Sequence, residues 1–151
     1  MNYTLELYSQ MFCRLKRGNT KGVFSNAKPI FLMTLLNYPS FLLNNKLYWN
    51  DSDLKKSYEE IFHKYDITKV TPIWKPFFFL SSEPFYNLIW KQNPPFELVK
   101  RPSGHILKEY LDYAKLDDEL WELLQDETNR QYLRECIINH YFMPANSSFF
   151  K

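Results

Sequence analysis

Three histidines, two cysteines and one acidic run are the side chains in this sequence best equipped for chemistry. His63, His105 and His140 each stand alone in their segments, and no Cys-x-x-Cys or His-x-x-x-His pair accompanies them. A structural zinc site draws four ligands, usually in close pairs, so no metal centre is expected. Cys13 and Cys136 fall on or beside the apolar faces of two different predicted helices, where a thiol behaves as a small hydrophobe. No Gly-x-Ser-x-Gly elbow is present, which leaves no activated serine. Asp117, Asp118 and Glu119 are adjacent, so on a helix they fan apart rather than converging on a divalent ion as metal-assisted phosphodiester cleavage requires. Asp117 reads instead as a helix cap, with its neighbours beside the positive helix end. The chain is therefore expected to be no enzyme, with no catalytic residue, metal or cofactor. Only 3 glycines occur in 151 residues, which disfavours a phosphate-cradling loop as well.

Binding is better supported. The segment Thr71 to Trp90, TPIWKPFFFLSSEPFYNLIW, combines three prolines with a dense aromatic knot. Most of Phe77, Phe78, Phe85 and Leu88 reads as core. Trp74, Lys75 and Pro76 read as a proline-stiffened loop ahead of the knot, able to form a rigid apolar notch with a positive rim. Charge points the same way. Residues 1–108 carry fifteen Lys and Arg against eight Asp and Glu, a balance of +7, whereas residues 109–151 carry four against nine, a balance of −5. No acid lies between Glu6 and Asp51, while Arg14, Lys16, Arg17, Lys21, Lys28 and Lys46 all do. An acid-free basic stretch beside an acidic end suggests one face for a polyanion and another turned from it. A solvated surface of uneven charge is the plainer alternative.

The elements that must position these residues can be read from periodicity. Thr4 to Leu15 predicts a first helix with Leu5, Tyr8, Met11, Phe12 and Leu15 on one face. Gly18, Asn19 and Gly22 break it, leaving a basic loop from Arg17 to Ala27. A second helix is expected from Pro29, buried and central because Ile30, Phe31, Met33, Leu35 and Leu36 are apolar almost all round. Pro39 ends it or starts a short turn, and Lys46 to Trp49 suggests a short strand. Asn50 and Asp53 resemble a capping box for a third helix carrying Leu54, Tyr58, Ile61, Phe62 and Tyr65. Phe85 to Trp90 predicts a strand with Phe96 to Val99 as its partner across Gln92 to Pro95. Three helices follow, capped by Ser103, Asp117 and Asp126, the first of them carrying Ile106 through Ala114. The expectation is a mainly α, α+β architecture, a compact helical domain with a small hairpin or sheet. It is expected to span 1–151 as one domain with a tail at 143–151. No apolar run reaches the ~18 residues of a membrane span, and the N-terminus lacks the basic cluster of a signal peptide. With two scattered cysteines, a reducing, cytoplasmic setting is expected.

Three segments carry a resemblance. NAKPIFLMTLL (Asn26 to Leu36) resembles the basic-Pro-apolar helix start of the N-terminal domain of HNH-type restriction endonucleases. KPFFFLSSEPFYNLIW (Lys75 to Trp90) resembles that family's Pro-Phe segment and aromatic strand. LDDELWELLQD (Leu116 to Asp126), with Arg130 and Leu133, resembles its C-terminal helices. Together they run in the family's order over roughly residues 20–142. The domain is similar to the sulfur-binding domain of restriction enzymes that recognise phosphorothioate DNA, and the chain ends where a nuclease domain would begin. The resemblance implies an apolar cavity with a proline ring for the sulfur, and basic side chains on the flanking backbone. Lys28 and Pro29 match the basic-Pro start, and Pro76 and Phe77 the Pro-Phe segment. The resulting expectation is a DNA-binding module of a restriction or phage-defence system. Arg17, Lys21, Lys28 and Lys75 would contact DNA, and Pro29, Trp74 and Pro76 would line the pocket for the modification. Its partners would be DNA and a separate nuclease or effector. The alternative is a protein-interaction subunit docking such an effector through its acidic C-terminal helices.

Overall fold

The computed structural model describes residues 2–143. The expected tail lies, from residue 144 on, outside the described residues. Among them the chain forms nine α-helices and two antiparallel two-stranded sheets, the mainly helical α+β architecture that the periodicity indicates.

Helix α2, Ala27–Leu36, is the axis of the core. Every one of its side chains except Lys28 is buried, because apolar residues occur on all its faces and leave none for water. It begins two residues before the expected start, with Asn26 as N-cap. That shift puts Pro29 in its third position, still within the turn where a missing N–H costs nothing. Around it pack α4 (Ser52–Tyr65), α5 (Trp74–Phe79) and α9 (Glu127–Ile137), while α1 (Tyr3–Phe12) packs on α9. α4 buries Leu54, Tyr58 and Phe62, an i, i+4, i+8 stripe. Its cap is Asp51 rather than Asn50, whose neighbour's Oδ1 accepts from the N–H groups of both Asp53 and Leu54.

Phe31 of α2 is the aromatic hub. Its ring centroid lies 6.2 Å from Tyr58, 5.8 Å from Phe77 and 6.3 Å from Tyr86. The buried tyrosine hydroxyls among these rings are satisfied, as burial demands. Tyr86 donates to the Phe77 carbonyl at 2.6 Å and Tyr58 to the Thr71 carbonyl at 2.8 Å. Both bonds anchor the chain on either side of Trp74.

Several local expectations are corrected. The basic stretch after α1 is not a plain loop: Asn19–Thr20 (β1) pairs with Val23–Phe24 (β2) through a turn with Lys21 and Gly22 at φ 54° and 84°. Trp74, Lys75 and Pro76 are the first turn of α5 rather than a loop, since Pro76 falls where its ring is tolerated. The strand Tyr86–Trp90 (β3) pairs with Leu111–Leu116 (β4), Tyr86 opposite Leu116. The segment assigned as its partner is helix α6, Phe96–Lys100. Helix α7, Gly104–Tyr110, therefore stops before Leu111, and Ala114 sits on β4. Lys46 to Trp49 contributes a single bridge, Leu47 to Ala114, rather than a strand. The remaining short helices are α3 (Pro39–Leu43) and α8 (Asp118–Leu123). Asp117 precedes α8 without capping it by its side chain. Its carboxylate instead accepts from Tyr8 Oη at 3.0 Å and Asn87 at 3.4 Å, tying α1 to β3.

Candidate functional site

The start of α2, the β1–β2 hairpin and the start of α5 enclose an open cleft of about 930 Å³. One wall is the chain from Lys16 to Lys28, the other Trp74, Lys75, Pro76 and Phe79, and Phe62, Asp66 and Thr71 close the end. The lining is largely apolar, with cations at its margins. Lys75 is exposed on the rim, its ammonium 5.9 Å from the Trp74 ring. Pro76 is buried from bulk water yet presents to the cleft.

Trp74 packs against the start of α7 and against Phe79. A Cβ on Gly104, at the start of α7, would lie 3.3 Å from Trp49 Cζ2 and 3.6 Å from Trp74 Cβ. Glycine is what lets that backbone lie so close to the Trp49 indole, while Trp74 is at ordinary contact distance. The Trp74 ring is tilted on Phe79, with centroids 6.3 Å apart.

The cations differ in how free they are. Arg17 is half-buried: its Nε donates to the Ser25 carbonyl at 2.8 Å and a terminal nitrogen donates to Asn26 Oδ1 at 2.7 Å. Its guanidinium also lies over Phe24 and Tyr141, 5.3 and 4.9 Å from their centroids. Arg17 therefore shapes the wall as much as it charges it. Lys28 is more tightly held. Its side chain is 11% exposed, and it donates to Ser82 Oγ at 2.9 Å and to Glu83 Oε2 at 3.3 Å. Burial pulls its pKa below the ordinary lysine value, and the Glu83 carboxylate opposes that pull. Glu83, itself 5% exposed, also accepts from the Lys16 N–H at 2.8 Å. One buried carboxylate thus ties the basic loop to the start of α2.

Asp66 is the acid of the cleft. Asn26 Nδ2 donates to it at 3.0 Å, and Thr68 donates through both its N–H and its hydroxyl. Burial pushes its pKa up, but these three donors outweigh that and hold it below the ordinary aspartate value. Arg17, Asn26, Asp66 and Thr68 form a continuous hydrogen-bonded chain across the cleft.

Of the residues singled out in the sequence, Arg17, Lys28, Trp74, Lys75 and Pro76 come together here. Two lie elsewhere. Pro29 is buried in the core, because the early start of α2 turns its ring inward. Lys21 is exposed at the hairpin tip, outside the cleft lining. Phe24, Asn26, Asp66, Phe79 and Glu83 were not foreseen. Only Asn26 left a trace in the sequence, as a residue preceding a helix start; the others depend on contacts between distant segments. Among the described residues no three of His, Cys, Asp and Glu converge as metal ligands would.

Comparison with protein-family models and with curated proteins gives no match. Among solved structures the chain is similar to one described as the sulfur binding domain of ScoMcrA complexed with phosphorothioated DNA. The TM-score is 0.67 at 15% sequence identity, covering 91% of this chain and 90% of that one. The two share a fold.

Proposed function

We propose that this chain is a non-catalytic DNA-recognition domain, spanning residues 1–151, whose cleft receives one backbone linkage of modified DNA. Phosphorothioate is the modification that suits it best. The observation that carries the reading is the cleft itself: Trp74 and Pro76 make an apolar wall in a fold like that of a sulfur-binding domain, with cations at its margins. Sulfur is larger and more polarizable than oxygen and a poorer hydrogen-bond acceptor. An apolar contact therefore costs less to fill with sulfur than with a well-hydrated oxygen. Lys75, Lys21 and Lys16 supply phosphate affinity that carries no sequence information. Lys28 acts through its pairing with Glu83, and Arg17 by holding the hairpin wall. The setting is a cytoplasmic restriction or phage-defence system in which a separate nuclease or effector cuts. No helix of the described residues is long and apolar enough to cross a membrane.

The test is binding to matched duplexes, plain and with a single phosphorothioate linkage, at two salt concentrations. Pro76→Ala is expected to reduce the preference for the modified duplex by about tenfold, the worth of an apolar group in a fitted pocket, and to leave salt dependence intact. Lys75→Ala is expected to weaken both duplexes equally and flatten the salt dependence. Equal binding of the two duplexes by the unaltered protein defeats the sulfur reading. No binding at low salt defeats DNA recognition, and pull-down through the acidic C-terminal helices then becomes the experiment of choice.

A further inference from the structure

Between β3 and α7 the chain leaves the body of the molecule. From Lys91 to Arg101 no residue is buried, and α6 within this excursion buries none of its side chains. Yet it is apolar: Phe96 is 70% exposed, and Leu98 and Val99 are each 37% exposed. No side chain of this apolar helix is fully buried, and Phe96 in particular adds little to the core, so contact with something else is its physical rationale. The excursion is also tied down by backbone hydrogen bonds and proline. Lys91 N–H donates to the Tyr110 carbonyl at 2.8 Å and closes its base. Pro94 and Pro95 lead into α6, and the Pro95 carbonyl accepts from the N–H groups of Leu98 and Val99. A preorganised element loses little entropy on binding.

Its charge names the partner. Lys91, Lys100 and Arg101 stand against Glu97 alone. Lys100 reaches back over the Phe96 ring at 4.8 Å and lies 4.0 Å from Glu97, which is itself exposed. Phe96, Val99 and Lys100, at i, i+3 and i+4, share one helical face. An aromatic ring beside a cation matches the alternation of sugar and phosphate along a nucleic-acid strand, whereas a docked acidic protein would offer no repeating apolar face. Position agrees: Pro102, which ends the excursion, lines the cleft, and Gly104, two residues on, packs under Trp74.

We propose that the excursion Lys91–Pro102 is a second DNA-contacting arm. It lays Phe96 and Val99 on sugars of the duplex beside the linkage held in the cleft, with Lys100 and Arg101 on the adjoining phosphates. This rests on the cleft being a DNA site, and the test separates the two ideas. Full-length Phe96→Ala/Val99→Ala and Lys100→Ala/Arg101→Ala proteins, checked for native circular dichroism, are titrated onto a two-turn duplex and footprinted with hydroxyl radicals. Because no side chain of α6 is fully buried, both variants are expected to fold. Loss of the cations should lower the slope of log affinity against log salt by about 2 and shorten the footprint on one side of the linkage. Loss of Phe96 and Val99 should weaken binding about tenfold with the slope unchanged. If the unaltered protein binds and both variants match it in affinity, slope and footprint, the arm is refuted and the cleft stands. If the unaltered protein binds no duplex, both ideas fall together.

Discussion

Lys28 and Glu83 neutralise each other in a place that water hardly reaches, and the cost of separating them follows from that. Removing one member of a buried pair strands the other charge, typically at about 3–5 kcal/mol, whereas replacing both can be nearly neutral. Lys28→Met should therefore lower stability by about 3 kcal/mol in urea unfolding, with Lys28→Met/Glu83→Gln recovering a large part. Lys75→Ala, on the exposed rim, should change stability by less than about 0.5 kcal/mol. This contrast separates a structural cation from one free on the surface. Asp66 makes a prediction about pH. Its folded pKa lies below the ordinary 3.8, so its stabilisation is complete above that value and lost as pH falls through the folded one. Asp66→Asn should be less stable than the unaltered protein at neutral pH, by about 1 kcal/mol. The gap should close on acidification below pH 3.8, followed by thermal melts across pH 2–6.

At the scale of elements, the junction of α5 with α7 decides where the cleft's indole stands. Gly104→Ala puts a methyl 3.3 Å from Trp49 and 3.6 Å from Trp74. It should change the near-ultraviolet circular dichroism of Trp49 and alter stability by less than about 1 kcal/mol, because the indole has to yield only slightly. Elements whose apolar pattern is settled within themselves were legible in the sequence: α2, apolar on every face, and α4, with its stripe from Leu54 to Phe62. Elements that depend on a distant partner were not. Ile106, Leu107, Tyr110, Leu111 and Ala114 recur at helical steps, so the boundary between α7 and β4 is invisible in the spacing. Only the pairing of β4 with β3, from Trp90 opposite Leu111 to Tyr86 opposite Leu116, reveals it. The nearer candidate, Phe96 to Val99, looked like the partner because it is apolar, yet it has no strand beside it. The same division runs through the site. Trp74, Lys75 and Pro76 are adjacent and could be read together. Glu83 beneath Lys28 and Asp66 beside Asn26 are 55 and 40 residues from those partners, and no local spacing foretells either contact.

For the whole molecule, the core closes only when the two ends of the described chain come together beside α2. α9 packs against α2 and α1 packs against α9, and Leu133 and Ile137 of α9 are fully buried. A chain cut after Gln125 removes α9. It should show no cooperative thermal transition and should bind an apolar dye such as ANS at neutral pH, the signature of an uncovered core. The buried axis has a consequence during synthesis. α2 leaves the ribosome about a hundred residues ahead of α9, the last helix to pack on it. At about 5–20 residues per second, that interval lasts roughly 5–20 s. For that time the side of α2 that α9 covers stays open, and Ile30 to Leu36 has no charged side chain to keep it apart from its neighbours on a polysome. A chain with such a segment is expected to be held during synthesis by a chaperone that grips short apolar stretches, which ribosome-bound chains arrested after α5 would show by co-purification.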